Sequence, residues 1–179
     1  RVVVGAEREV FAFDAKRGRY LLRPGEGRVD FLQPAAVGQA EASSQVPKIW
    51  GTAQAFWGAD NDLKTAWSVL RKKAIGATLS VRLKKAAAVR MIRIVPGCAE
   101  RAEAWAQHDQ LRRFALTLST GVRFSVDRTK PDRLPPGVQA MGTLPLPDGV
   151  GEQIILVLER ADPLVWARLE IKTIKHNHP

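Results

Sequence analysis

The sequence predicts an all-β sandwich or jelly roll, with an extra β segment at its N-terminus. Three observations predict it. Several short stretches alternate strictly between apolar and polar side chains, others are near-continuous apolar runs, and turns bearing Gly or Pro separate them. Neither a βαβ alternation nor a repeat of fixed period competes with that reading.

Residues 1–35 hold four candidate strands: Val2-Val3-Val4, Val10-Phe11-Ala12-Phe13, Tyr20-Leu21-Leu22 and Val29-Asp30-Phe31-Leu32. Turn formers in Asp14–Gly18 and Arg23–Gly27 separate them. This is a small β-meander, or a set of strands lent to a neighbouring sheet, since it is too small to bury a core alone. Residues 36–48 are small and polar and are expected to be a linker into a main domain at 49–179.

Thr78–Leu83 alternates, with Leu79, Val81 and Leu83 on one side. Arg113–Leu118 alternates likewise, placing Phe114, Leu116 and Leu118 inward; Ser119-Thr120-Gly121 turns the chain, and Val122, Phe124 and Val126 continue the pattern. That is a hairpin signal. Met91–Val95 and Gln153–Leu158 are nearly all apolar, as central strands are. Trp166–Ile174 closes the series with Leu169 and Ile171 inward and Arg168, Glu170 and Lys172 outward. Only Ala59–Trp67, a short turn, and Ala99–Gln110, of helix-forming composition without a clean apolar stripe, interrupt the strands.

The 179 residues suit one domain plus an extra segment, and 45% hydrophobic with 26% charged residues is a globular composition. No apolar run reaches the length of a membrane span. The chain starts at Arg1 without an initiator Met, so it reads as an excised or processed fragment, and any targeting signal or anchor would lie outside it. Cys98 is alone, which excludes an internal disulfide. The net charge of +10 is concentrated: Leu70–Arg133 holds 15 Lys/Arg against 5 Asp/Glu, and the remainder holds 13 of each. Such a field favours anionic partners, or serves as a solvated face that keeps the protein soluble.

Sequence motifs for catalysis are missing: there is no nucleophile elbow, P-loop, dinucleotide fingerprint or HExxH. Cys98 reads as a plain buried thiol. Asp60-Asn61-Asp62 opens like a calcium loop, but the pattern then fails, with Arg71 where the bidentate Glu belongs. Turn-forming Asx residues explain the run, a structural calcium ion being the alternative. No other cofactor is expected. His176-Asn177-His178 is too short a ligand set for a metal and reads as a frayed terminus. Of the five tryptophans, Trp67 and Trp166 read as core, whereas Trp57 and Trp105 lie in connections and are the candidates for an exposed stacking face.

These landmarks, in order, resemble a known family. Ala42-Ser43-Ser44 followed by Asp60-Asn61-Asp62-Leu63-Lys64-Thr65-Ala66-Trp67 is similar to the ASS…DGDPSTAW opening of discoidin-like, galactose-binding-like domains. Ile75–Leu83 resembles their next strand, Val89–Gly97 their VKSIRIVNGY segment, and Phe114–Gly121 their VTLEFSDG strand and turn; Gln153–Leu158 and Leu169–Ile174 match the closing strands. The nearest resemblance is to the bacterial NADase-type glycan-binding domain, over about residues 40–174. Pro96-Gly97-Cys98 and His108-Asp109-Gln110 stand where that family has NGY and an Asn-Asn-Arg stretch. The resemblance implies a discoidin-like β-sandwich with a ligand site formed by loops at one end.

The expected function is therefore a non-catalytic binding module for a glycan or acidic polysaccharide in a bacterial envelope, periplasmic or secreted protein. Trp57 and Trp105 would stack on a sugar, with Asp60, Asn61, His108, Asp109 and Gln110 bonding its hydroxyls. Arg82, Lys84, Arg113 and Arg123 would form an outward basic face. The alternative is a protein-interaction or scaffold domain of an envelope assembly that docks through that face. Nucleic acid is not expected, because stacking aromatics between the charges are scarce.

Overall fold

The computed structural model describes residues 2–6, 11–14, 19–22, 30–31, 36–47, 54–60, 62–130, 138–146 and 150–177. Ten strands follow in chain order: β1 (Val2–Ala6), β2 (Phe11–Asp14), β3 (Arg19–Leu22), β4 (Asp30–Phe31), β5 (Val37–Ala42), β6 (Thr78–Ile94), β7 (Gln110–Leu118), β8 (Arg123–Asp127), β9 (Val138–Pro145) and β10 (Glu152–Lys175). One helix, α1 (Ala102–Gln107), joins β6 to β7. Among the described residues every strand pairing is antiparallel.

The two long strands organise the molecule. β6 and β10 pair along most of their length, with breaks between Val157 and Asp162 and between Leu164 and Trp166. Across the second break β10 advances two positions, from Leu164 to Trp166, while β6 moves five, from Ala87 to Arg82. Such excess residues bend a ladder and increase its twist. On one side of the breaks the strand order is β5, the first half of β6, the second half of β10, β7, β8; on the other it is β4, β1, the second half of β6, the first half of β10, β9. Inward side chains from both layers form one core: Ile92, Ile94, Ile154 and Leu156 from the second meet Phe114, Leu116, Val126, Leu169 and Ile171 from the first. Each such side chain contributes about 1.5–3 kcal/mol when fully buried. The molecule is thus the expected β-sandwich.

The alternating stretches behave as their period dictates. Leu79, Val81 and Leu83 are buried while Arg82 and Lys84 are exposed. The predicted hairpin is β7–β8, in register from Arg113 opposite Asp127 to Thr117 opposite Arg123, with Gly121 at φ +86° in its turn. The apolar runs belong to the second layer, whose other face is covered as well: Met91, Ile155 and Val157 are buried there, and burial lowers the pKa of half-buried Arg93.

Three expectations change, and the alternative left open for the N-terminal strands is decided. Residues 36–48, expected as a linker, contain β5, which pairs with β6 from Val37 opposite Leu83 to Ala42 opposite Leu79. Small side chains suit an edge strand lying close to a neighbour: a Cβ on Gly38 would stand 3.2 Å from the Lys84 backbone nitrogen. At the N-terminus, β1 pairs with β6 and β4, so these strands extend the sheet, while β2 and β3 form their own hairpin. Trp166, expected in the core, is half-buried on the outward side beside Arg168, because its position alternates with buried Ala167 and Leu169. The terminus around His176 and Asn177 is tied down by hydrogen bonds described below.

Candidate functional site: a cleft between two loops

The excursion from β6 to β7 builds one wall of an open cleft of about 540 Å³, and residues 64–74 build the other. Its deep part is apolar, with Leu79, Leu169 and Ile171. Its mouth carries Lys64, Arg71, Arg101, Gln107, His108 and Asp109. An apolar floor under a few convergent polar groups, at this size, is the usual form of a small-ligand site.

The 95–111 wall is held from several directions. The Leu111 amide donates to the Pro96 carbonyl at 2.7 Å and closes the excursion at its base. Asn177 reaches back from the end of β10, its side-chain amide donating to the carbonyls of His108 at 2.7 Å and Trp105 at 3.2 Å. Gln110 is 4% exposed; its amide donates to the Trp105 carbonyl at 3.4 Å and its oxygen accepts from Arg128 at 3.3 Å. Arg128 also donates to Glu152 at 2.7 Å. Trp105 packs from behind with Val95, Ala99 and Leu146. Its ring lies flat against Gly97 and Gly151, and a Cβ on Gly151, which is at φ +85°, would come within 2.6 Å of it.

Across the mouth, Arg71 and Asp109 form a two-pronged pair: Nε donates to Oδ2 at 2.8 Å and Nη2 to Oδ1 at 3.0 Å. His176 donates from Nδ1 to the same carboxylate at 3.1 Å. Burial pushes the Asp109 pKa up, but hydrogen bonds from Arg71 and His176 outweigh it and hold the carboxyl below its usual value. Asp109 therefore stays an anion, oriented by two donors, and fixes the exposed Arg71 guanidinium at the rim. His108 Nδ1 lies 2.8 Å from the Ala104 carbonyl. A carbonyl only accepts, so Nδ1 carries the proton and Nε2 is the acceptor of the neutral ring.

Of the residues singled out from the sequence, His108 and Asp109 line the cleft. Trp105 and Gln110 brace its wall from behind rather than facing it. Trp57 is half-buried in the 3-10 turn Phe56–Gly58, outside the cleft lining. Asp60 is consumed by its own turn: its Oδ1 accepts from the Asp62 amide at 3.0 Å and its Oδ2 from the Thr65 hydroxyl at 2.5 Å. Asn61 lies outside the described residues. Among the described residues no cluster of three or more His, Cys, Asp or Glu side chains is placed to hold a metal ion. Cys98, expected to be buried, is half-exposed in the cleft wall. Arg82 and Lys84 are exposed on the outer sheet face without ion-pair partners among the described residues, whereas Arg113 pairs with Asp127 at 3.3 Å and Arg123 with Glu170 at 3.4 Å.

Sequence reasoning missed Arg71, which was noted at the place where a calcium loop would need Glu and not as a site residue, and it missed the double role of Trp67. The indole N–H of Trp67 donates to the Ser44 carbonyl at 3.0 Å, its ring joins the core, and its remaining edge lines the cleft. The core expectation for Trp67 carried only the packing half of that.

The fold, though not the cleft, has counterparts among solved structures. No family model matches the chain, and no curated protein matches it. Among solved structures, a family 32 carbohydrate-binding module of Clostridium perfringens NanJ in complex with galactose is similar over 78% of this chain and 85% of its own, with TM-score 0.52 and 15% identity. A second Clostridium perfringens module, CpGH89CBM32-4 in complex with GlcNAc-α-1,4-galactose, is similar over 84% of this chain and 85% of its own, at TM-score 0.49 and 12% identity. The chain has the discoidin-like, galactose-binding-like β-sandwich fold of the NanJ module.

Proposed function

We propose that the protein is a non-catalytic carbohydrate-binding module that takes a glycan end in the cleft between residues 64–74 and 95–109, within a bacterial envelope or secreted protein. The observation that supports it most is the braced polar mouth over an apolar floor. Arg71 and Asp109 offer donors and an acceptor in fixed positions, His108 adds a second acceptor, and the exposed edge of Trp67 offers apolar area for a sugar C–H face. Sugar hydroxyls both donate and accept, so a rim with both functions suits them. The charges at the mouth nearly cancel, because Asp109 is paired with Arg71 and Glu100 with Arg101. A neutral or weakly acidic sugar therefore fits there better than a polyanion.

Glycan-array screening followed by calorimetric titration of the best sugar tests this reading. Binding that persists at moderate salt should weaken roughly tenfold or more in Arg71→Ala and in His108→Ala, as expected when a buried polar contact to a ligand is removed. Binding of no sugar, or sugar binding indifferent to both substitutions, would remove the cleft reading and favour the interaction-domain alternative.

A further inference from the structure

The outer face of the first layer is divided electrostatically. On the β7–β8 side three cations have counter-ions: Arg113 pairs with Asp127, and Glu170 takes both Arg123 and Lys172, while exposed Arg112 has no ion pair among the described residues. On the β5–β6 side the exposed cations lack ion pairs among the described residues. Arg82, Lys84 and Lys85 of β6 are exposed and have no ion pair among the described residues, and Arg168 bonds only the Ser80 hydroxyl, at 2.9 Å. Glu41, which accepts from Gln39 on the same strand, is the acidic residue of this side among the described residues.

Trp166 stands in the middle of the unpaired group. Arg82 is its direct cross-strand neighbour, and Arg168 lies two residues along on the same face with its guanidinium 5.9 Å from the ring centroid. In a sheet such neighbours are about 5 Å apart across strands and about 7 Å apart along them. The arrangement is a flat indole with cations beside and beyond it, on a rigid surface, and it belongs to the sheet face rather than to the loop cleft.

The geometry points to a second binding surface, around Trp166, Arg82, Lys84 and Arg168, that takes a linear acidic polysaccharide bearing carboxylates or sulfates. Charge complementarity selects the partner: unpaired exposed cations gain from a polyanion what paired ones have already gained from Glu170 and Asp127. One indole suits one pyranose face, with charged groups on the flanking sugars meeting the arginines and lysine. Single-stranded nucleic acid fits less well, because it calls for a run of aromatics under successive bases. A membrane surface also fits less well: among the described residues the exposed large apolar side chains, Phe56, Ile75 and Val165, are dispersed along the chain and form no wedge. This surface does not depend on what the cleft binds.

The test compares two double variants of equal charge change. Arg82→Ala/Lys84→Ala removes unpaired cations, and Arg113→Ala/Arg123→Ala removes paired ones. Polygalacturonate is the probe, with its fully methyl-esterified form as the neutral control and a single-stranded oligonucleotide of equal charge as the competing polyanion. The first variant should lose roughly tenfold or more in affinity, at about a factor of several per cation. The second should change less than about threefold, since exposed pairs contribute little. Polygalacturonate should bind more tightly than either control, and free galactose should not displace it. Equal losses in the two variants would reduce the effect to net charge and overturn the proposal. Equal binding of the oligonucleotide, or of the esterified polymer, would overturn the assigned partner. Displacement by galactose would overturn the separation from the cleft. A circular-dichroism melt of each variant keeps misfolding out of the comparison.

Discussion

The two halves of β6 and β10 share one pair of strands and one core, yet they live in different surroundings. Around Thr78–Leu83 and Trp166–Ile171 the ladder has one buried face and one solvated face, and the sequence alternates. Around Met91–Ile94 and Ile154–Leu158 both faces are buried, and the sequence is almost continuously apolar. β10 contains both patterns within 24 residues, divided by the register breaks. The solvated half is free to carry charge and hence recognition; the doubly buried half has no such freedom and serves as the frame. Sequence period thus reports which face of a strand sees water, not where a strand ends.

The sharpest break of this comparison is at Leu156, which is fully buried in the shared core. Leu156→Ala should cost about 2–5 kcal/mol in urea unfolding, by lost transfer energy and the residual cavity. Next comes the opposite face of the same segment. Ile155→Ser should cost about 2–3 kcal/mol, since it removes buried methyl groups and buries a hydroxyl, whereas Ser125→Ala on the exposed face of β8 should stay within about 0.5 kcal/mol. If the two variants unfold at the same urea concentration, the second layer is not covered on both faces. The smallest effect lies in the ion pairs of the solvated half. A hydrogen bond from Lys172, only partly offset by burial and joined by the charges of Lys172 and Arg123, holds the Glu170 carboxyl below its usual value. A depressed carboxyl stabilises above its unfolded pKa, about 4.3 for Glu, and that contribution fades as pH falls through the folded value. Glu170→Gln should therefore melt slightly below the parent at pH 7, and the gap should close below about pH 4. A gap that widens in acid would mean the pair is not what depresses Glu170.

The cleft shows where sequence reasoning stops. His108 and Asp109 were singled out because they stand where the resembled family has its Asn-Asn-Arg stretch, and both line the cleft. Trp105 and Gln110 sit in the same connection but face the other way, against Gly97 and Gly151 and onto Arg128. Adjacent positions in an irregular segment have no period, so their directions cannot be read from spacing. Arg71 was invisible for another reason: its partner Asp109 is 38 residues away, and its tether His176 lies at the far end of β10.

Local chemistry determined much of this protein. Alternation placed Leu79, Val81, Phe114 and Leu116 inward and the Ser119–Gly121 turn made the β7–β8 hairpin, because side-chain period and turn stereochemistry act over a few residues; the discoidin-like variety of sandwich was implied by the family resemblance of the ordered landmarks. Tertiary structure alone decided that the presumed linker is β5, that two long strands bend through both layers, and that Trp166 faces outward. It also decided which cations are neutralised: Arg113 and Arg123 meet acids across strands, while Arg82 and Lys84 meet none among the described residues. Charge is written in the sequence, but its pairing depends on which strands become neighbours.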